Sequence, residues 1–191
     1  MVKLLKPRRF GDDRGWFSET WSARAFERIG LPTGFLQDNH SLSREAWVLR
    51  GLHFQTPPHA QAKLVRCVRG SIWDVAVDVR AGSPTFGRWV GAELTPQNGH
   101  QLFVPVGFAH GFLTLEPDTE VEYKVTDFYS PECDGGLIWD DPDLAVAWPL
   151  AGASPILSPK DVKLPRLADF RSPFAYDGEP LSPLDPEPVV P

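Results

Sequence analysis

VLRGLHFQTPPHAQAKLVRCVRG, from Val48 to Gly70, holds both the fold and the chemistry in one stretch. It reads as parts of two short strands, Trp47–Phe54 and Lys63–Val68, parted by a segment that contains Pro57 and Pro58. On that reading His53 and Lys63 lie on neighbouring strands, among Arg50, Arg66 and Arg69. A neutral imidazole can remove a proton, and a nearby ammonium can stabilise the negative charge left behind. Arginine is the usual partner of phosphate. The combination points to proton-transfer chemistry on a phosphorylated small molecule.

The flanking sequence extends the β reading. Ser71–Val79, Arg88–Leu94, Gln101–Val104, Gly111–Leu115 and Thr119–Asp127 are short, rich in Val, Trp, Phe and Leu, and mostly separated by Gly, Pro, Asn or Asp. Many short strands with regular turns make an all-β sandwich, barrel or jelly roll. From Val75 to Val79 valines alternate with Ala76 and Asp78, which fits a strand with one buried face. Helix is scarce: Ser22–Ile29, with Ser22 as N-cap, is one candidate, and Asp161–Phe170 is another that Pro165 interrupts. From Ser172 onward six prolines argue against regular sheet, so the chain divides into one domain over 1–171 and a Pro-rich acidic tail over 172–191.

Composition narrows the function. With 191 residues, 42% hydrophobic and seven Trp, the chain is long enough for one sizeable core. No run of about 18 apolar residues occurs, so no membrane helix is expected. The N-terminus lacks the apolar stretch of a signal peptide, and two cysteines make no disulfide framework. A reducing, cytoplasmic setting follows. The net charge of -6 argues against nucleic acid as a partner, but Asp177, Glu179, Asp185 and Glu187 of the tail supply four of those charges. The rest of the chain is nearly balanced and free to bind an anion where arginines converge.

Phe103–Phe112 (FVPVGFAHGF) brings His110 in behind a tight Pro105-x-Gly107 turn. This resembles the second motif of the cupin superfamily, small barrels of jelly-roll type. The first cupin motif of metal-binding members has His-x-His followed by Glu. Here its counterpart is His53-Phe54-Gln55, and Lys63 stands near where that Glu would fall. An ammonium facing a divalent cation is unfavourable, so no metal and no cofactor is expected.

The resemblance then becomes specific. GDDRGWFSE (11–19), LQDNHS (36–41), LRGLHFQ (49–55), AQAKLVRC (60–67), SPTFG (83–87), VPVGFAHGF (104–112), VEYKVTDFYSP (121–131), WDDPDLAVAWP (139–149) and LSPKD (157–161) occur in this order. The set strongly resembles the dTDP-4-dehydrorhamnose 3,5-epimerase family over roughly residues 10–161. Members are cofactor-free cupin enzymes that invert carbons 3 and 5 of a dTDP-linked 4-keto-6-deoxy sugar.

The resemblance implies a role for each matching residue. His53 matches the general base, Asp161 the carboxylate that orients it, Tyr123 the acid on the opposite face, and Lys63 the cation beside the enolate oxygen. Arg14 and Arg50 match contacts to the diphosphate, Glu19, Gln37 and Asn39 contacts to the nucleotide, and His110 and Lys160 further ligand contacts. Phe128 stands where relatives often have Tyr and would stack on the thymine; near Asp134 relatives carry Glu. Family enzymes are homodimers in which the N-terminal strands cross to the partner, so Arg14 and Glu19 are expected to serve the other subunit's site. Taken singly, His53 reads as a packed core histidine and Tyr123 as a strand aromatic; their joint occurrence in order overturns that. Inversion at only carbon 3 or only carbon 5 is the nearest alternative, ahead of a metal-dependent cupin or a non-catalytic sugar-nucleotide binder.

Overall fold

The computed structural model describes residues 1–176 and 178–190. Most strands form two facing sheets, an all-β jelly roll. The larger sheet runs, edge to edge, β13 (Pro186–Val189), β1 (Lys3–Pro7), β9 (Gln101–Val104), β6 (Lys63–Arg69), β11 (Thr119–Val125) and β4 (Gln37–Ser43). The smaller runs β12 (Asp134–Gly136), β5 (Leu49–Gln55), β10 (Phe108–Thr114), β7 (Ile72–Asp78) and β8 (Trp89–Leu94). A separate hairpin joins β2 (Arg9–Asp12) to β3 (Gly15–Ser18), and its Trp16 and Phe17 are exposed. The single α-helix among the described residues, α1 (Ala23–Arg28), falls where Ser22–Ile29 predicts it, although Ser22 makes no side-chain cap bond.

One apolar cluster fills the space between the sheets, built on Val65, Leu102, Val104 and Val121 of one and Ile72, Leu94, Phe108 and Phe112 of the other. Each sheet is also covered outside. Phe26 and Leu31 pack on the larger sheet against Leu5, Leu64 and Phe103. Leu137, Leu144 and Phe174, from the chain after β12, pack on the smaller one. Gly107 turns β9 into β10 with φ of 91°, where a Cβ would meet the Arg80 side chain at 2.6 Å. Arg80 is fully buried over Phe108 and forks onto Asp78 at 2.8 and 2.9 Å, pinning that end of β7.

Four expectations are corrected. His53 and Lys63 are not on neighbouring strands: β5 and β6 belong to different sheets, and the two residues face each other across the interior. The β7 strand does not have one buried face, because Asp74, Val75, Ala76, Val77 and Asp78 are all buried; chain crosses both sides of the sheet. Asp161–Phe170 forms two short 3-10 turns, Asp161–Lys163 and Leu167–Asp169, with Pro165 between them.

The fourth concerns the Pro-rich segment, which does join a sheet. The β13 strand pairs parallel to β1, with Arg8 N–H donating to the Val189 carbonyl at 3.2 Å and Lys3 Nζ to Glu187 at 2.9 Å. By strand alternation the polar backbone of Glu187 and Val189 faces β1, while that of Pro186 and Pro188 faces outward. Proline lacks the N–H that an outer neighbour would need, so this edge strand tolerates two of them.

Candidate active site

Two adjoining hollows lie where the sheets part, of about 420 and 200 Å³, and both are bordered by His53, Lys63, Tyr123 and Lys160. Arg50, His110, Asp161, Ser41 and Ser158 add to the polar lining of the larger. Gln37, Asn39, Gln55, Tyr129 and Asp134 line the smaller. His53 comes from β5, His110 from β10, Tyr123 from β11, Lys63 from β6, and Asp161 and Lys160 from the loop beyond β12.

His53 Nε2 stands 2.5 Å from Asp161 Oδ1, and Ser158 Oγ donates to Asp161 Oδ2 at 2.9 Å. Burial alone would raise the Asp161 carboxyl. The hydrogen bond and charge of His53, the Ser158 hydroxyl and Lys160 outweigh it and hold the group below the usual carboxylate range. The ionised carboxylate can only accept, so Nε2 is the donor and Nδ1 is the ring nitrogen left to act as a base. Tyr123 reaches the same hollows from the opposite sheet. Burial raises its phenol, with Arg50 acting weakly the other way, so the hydroxyl keeps its proton.

Lys63 is buried and donates to the His53 carbonyl at 3.3 Å. Burial brings its ammonium down to about 8, against the pull of Asp74 and Asp134. His110 Nε2 lies 2.7 Å from Asp74 Oδ1, a second His–Asp pair set deeper than the first. Burial lowers the His110 imidazole despite Asp74, and Lys63 and His53 push it the same way.

The remaining expected residues divide. Gln37 and Asn39 are joined at 2.8 Å on the wall of the smaller hollow, and Lys160 is ion-paired to Asp134 there. Arg50 lies exposed, its guanidinium on Ser43 Oγ. Phe128 lines neither hollow; its carbonyl accepts from Gln55 Nε2, on the wall of the smaller one, at 3.1 Å, and its ring is exposed. Arg14 and Glu19 line neither hollow; Arg14 sits in the β2–β3 turn, paired to Asp12 at 2.5 Å. Arg66 and Arg69 are not at the site either. They pair with Glu122 at 2.6 Å and Glu120 at 3.5 Å, because alternation along β6 turns Arg66 to the outer face.

Asp74, Ser158, Tyr129 and Gln55 belong to the site or its support and were not singled out from sequence. Asp74 stands in a run, Ile72–Val79, that reads only as core. Ser158 had a signal: it lies three residues before Asp161, the spacing of a local turn.

A model of the dTDP-4-dehydrorhamnose 3,5-epimerase family matches residues 1–169. A dTDP-4-dehydrorhamnose 3,5-epimerase of Sinorhizobium fredii is 54% identical over 175 residues, covering 92% of this chain and 89% of its own. Among solved structures, the Bacillus anthracis dTDP-4-dehydrorhamnose 3,5-epimerase with TDP and PPi bound has a TM-score of 0.84 at 52% identity, covering 87% of this chain and 94% of its own. The Legionella pneumophila dTDP-6-deoxy-D-glucose-3,5-epimerase in complex with dTDP-4-keto-L-rhamnose also reaches 0.84, at 44% identity and 89% of each chain.

Proposed function

Because this chain belongs to the dTDP-4-dehydrorhamnose 3,5-epimerase family, we propose that it inverts carbons 3 and 5 of dTDP-4-dehydro-6-deoxy-D-glucose, giving dTDP-4-dehydro-L-rhamnose. The observation that carries the reading is the His53–Asp161 pair facing Tyr123 across one hollow, with Lys63 between the sheets. The ketone at carbon 4 acidifies the hydrogens on its two neighbours. His53 Nδ1 takes such a proton, and the C–H electron pair passes to the ketone oxygen as an enolate. The Lys63 ammonium opposes that charge. Tyr123 then donates its phenolic proton to carbon from the opposite face, and the electron pair returns to the new C–H bond. His53 releases its proton to solvent and Tyr123 regains one, so no proton is lost over a turnover.

Arg50 is suited to the diphosphate, Gln37, Asn39, His110 and Lys160 to polar groups of the nucleotide sugar, and the exposed Phe128 ring to the thymine. Arg14 and Glu19 sit apart from this chain's hollows on or beside a hairpin with exposed aromatics, which supports a homodimer in which each hairpin serves the partner's site. Residues 1–171 are the epimerase domain and 172–191 an appended segment, a division supported by the family match ending at 169. Two buried free thiols support a reducing, cytoplasmic setting.

The test is incubation with dTDP-4-dehydro-6-deoxy-D-glucose in heavy water, with both ring positions followed by NMR. Deuterium at carbons 3 and 5 is expected. Label at one carbon alone would make this a single-position epimerase, and no label would overturn the reading. In Tyr123→Phe we expect exchange to continue while product formation fails; loss of both would remove Tyr123 from a purely acid role.

A further inference from the structure

We propose that Asp74 is a positioning residue of this same site: from behind the cavity wall it orients His110 and supplies the negative charge that keeps Lys63 an ammonium. The inference rests on the epimerase reading above, in which Lys63 must be charged to meet the enolate.

Asp74 is fully buried on β7 and lines neither hollow, so it does not touch substrate. Its Oδ1 accepts from His110 Nε2 at 2.7 Å, and its Oδ2 is buried with no hydrogen-bond partner among the described residues. An ionised carboxylate in that position is strongly unfavourable unless a positive charge offsets it. His110 is a poor source of that charge, since burial favours its neutral form. Lys63 is the remaining candidate, and it has its own deficit. It is buried, and its one hydrogen bond among the described residues is the 3.3 Å contact to a carbonyl.

The charged and titratable groups around Lys63 come from every packed element. They are His53 on β5, His110 on β10, Tyr123 on β11, Asp134 on β12, Asp74 on β7, and Lys160 and Asp161 of the loop. Asp74 is the strongest of those favouring the cation, ahead of Asp134, and Lys160 opposes it. Asp134 is itself tied to Lys160. The half-satisfied carboxylate and the under-bonded ammonium therefore answer each other, with His110 held neutral against Asp74.

Asp74→Asn keeps the shape and an acceptor for His110 but removes the charge. In that variant we expect the alkaline limb of the kcat profile to move at least one unit to lower pH, a loss of about fivefold or more at pH 8 with KM little changed. A wild-type limb would overturn the proposal, as would a uniform fall in kcat at all pH. Should the variant not fold, nitrogen NMR of His110 in the intact enzyme decides. A ring that stays neutral and protonated at Nε2 from pH 5 to 9 supports the proposal; an imidazolium at neutral pH overturns it, because Asp74 would then be spent on His110. Either result is independent of deuterium exchange by the wild-type enzyme, whose absence would instead sink the epimerase reading.

Discussion

On one face of β7, Val75 and Val77 sit among Leu52, Phe54, Ala109 and Leu137 beneath the C-terminal chain; on the other, Asp74 and Ala76 look into the space that holds His110 and Lys63. The two faces are equally shut off from water, yet they contribute opposite terms to stability. The outer face removes apolar surface from water, about 1.5–3 kcal/mol for each large side chain. The inner face holds charge where charge is expensive, and is tolerated because its groups offset one another. Burial by itself therefore does not distinguish core from cavity wall in this barrel. Pairing does.

Mutations on the two faces should separate cleanly. The largest effect is expected for His53→Ala on the inner side, a fall in kcat of about 10²–10⁴ with a melting temperature close to wild type. Turnover that survives unchanged would remove His53 as the base. On the outer side Leu137→Ala should cost about 2–5 kcal/mol in urea unfolding while kcat per folded molecule holds. A matching loss of kcat would mean that the outer layer also shapes the site.

A smaller effect concerns the charge of Lys63. Its group is charged below about 8 and loses its proton as pH rises through that value, so kcat should decline on the alkaline side, about tenfold per unit well beyond it. A profile flat from pH 7 to 10 would show that the enolate does not need this cation. The smallest change should follow Glu187→Gln, which removes the partly exposed pair with Lys3. Thermal unfolding should reveal a loss of no more than about 1 kcal/mol. A larger drop would mean that the β13–β1 pairing depends on this ion pair rather than on backbone bonds and the buried Val189.

Most strands with an apolar face were legible from sequence, although β1 with its buried Leu4 and Leu5 was not read as one. Strands without such a face were not legible. The β4 strand, QDNHSLS, shows no hydrophobic alternation because its Gln37 and Asn39 line a hollow instead of a core. A site-facing strand hides itself by carrying the site. The β13 strand was unreadable for another reason, since proline argues against sheet everywhere except at an edge whose outer side needs no donor. Edge position is not a local property.

His53, Lys63, Tyr123 and Asp161 were recognisable because their motifs stand in a fixed order along the chain, and residue type limits what each can do at neutral pH. By itself, then, the sequence determined the β class and the family, and it supplied the residue types from which acid–base chemistry is proposed. Tertiary structure decided which groups meet. It set His53 and Lys63 on opposing sheets, turned Arg66 outward onto Glu122, and brought Asp74 against His110 across 36 residues. Those outcomes depend on strand register and on which sheet each strand joins, and both are set by long-range pairing that no local pattern encodes.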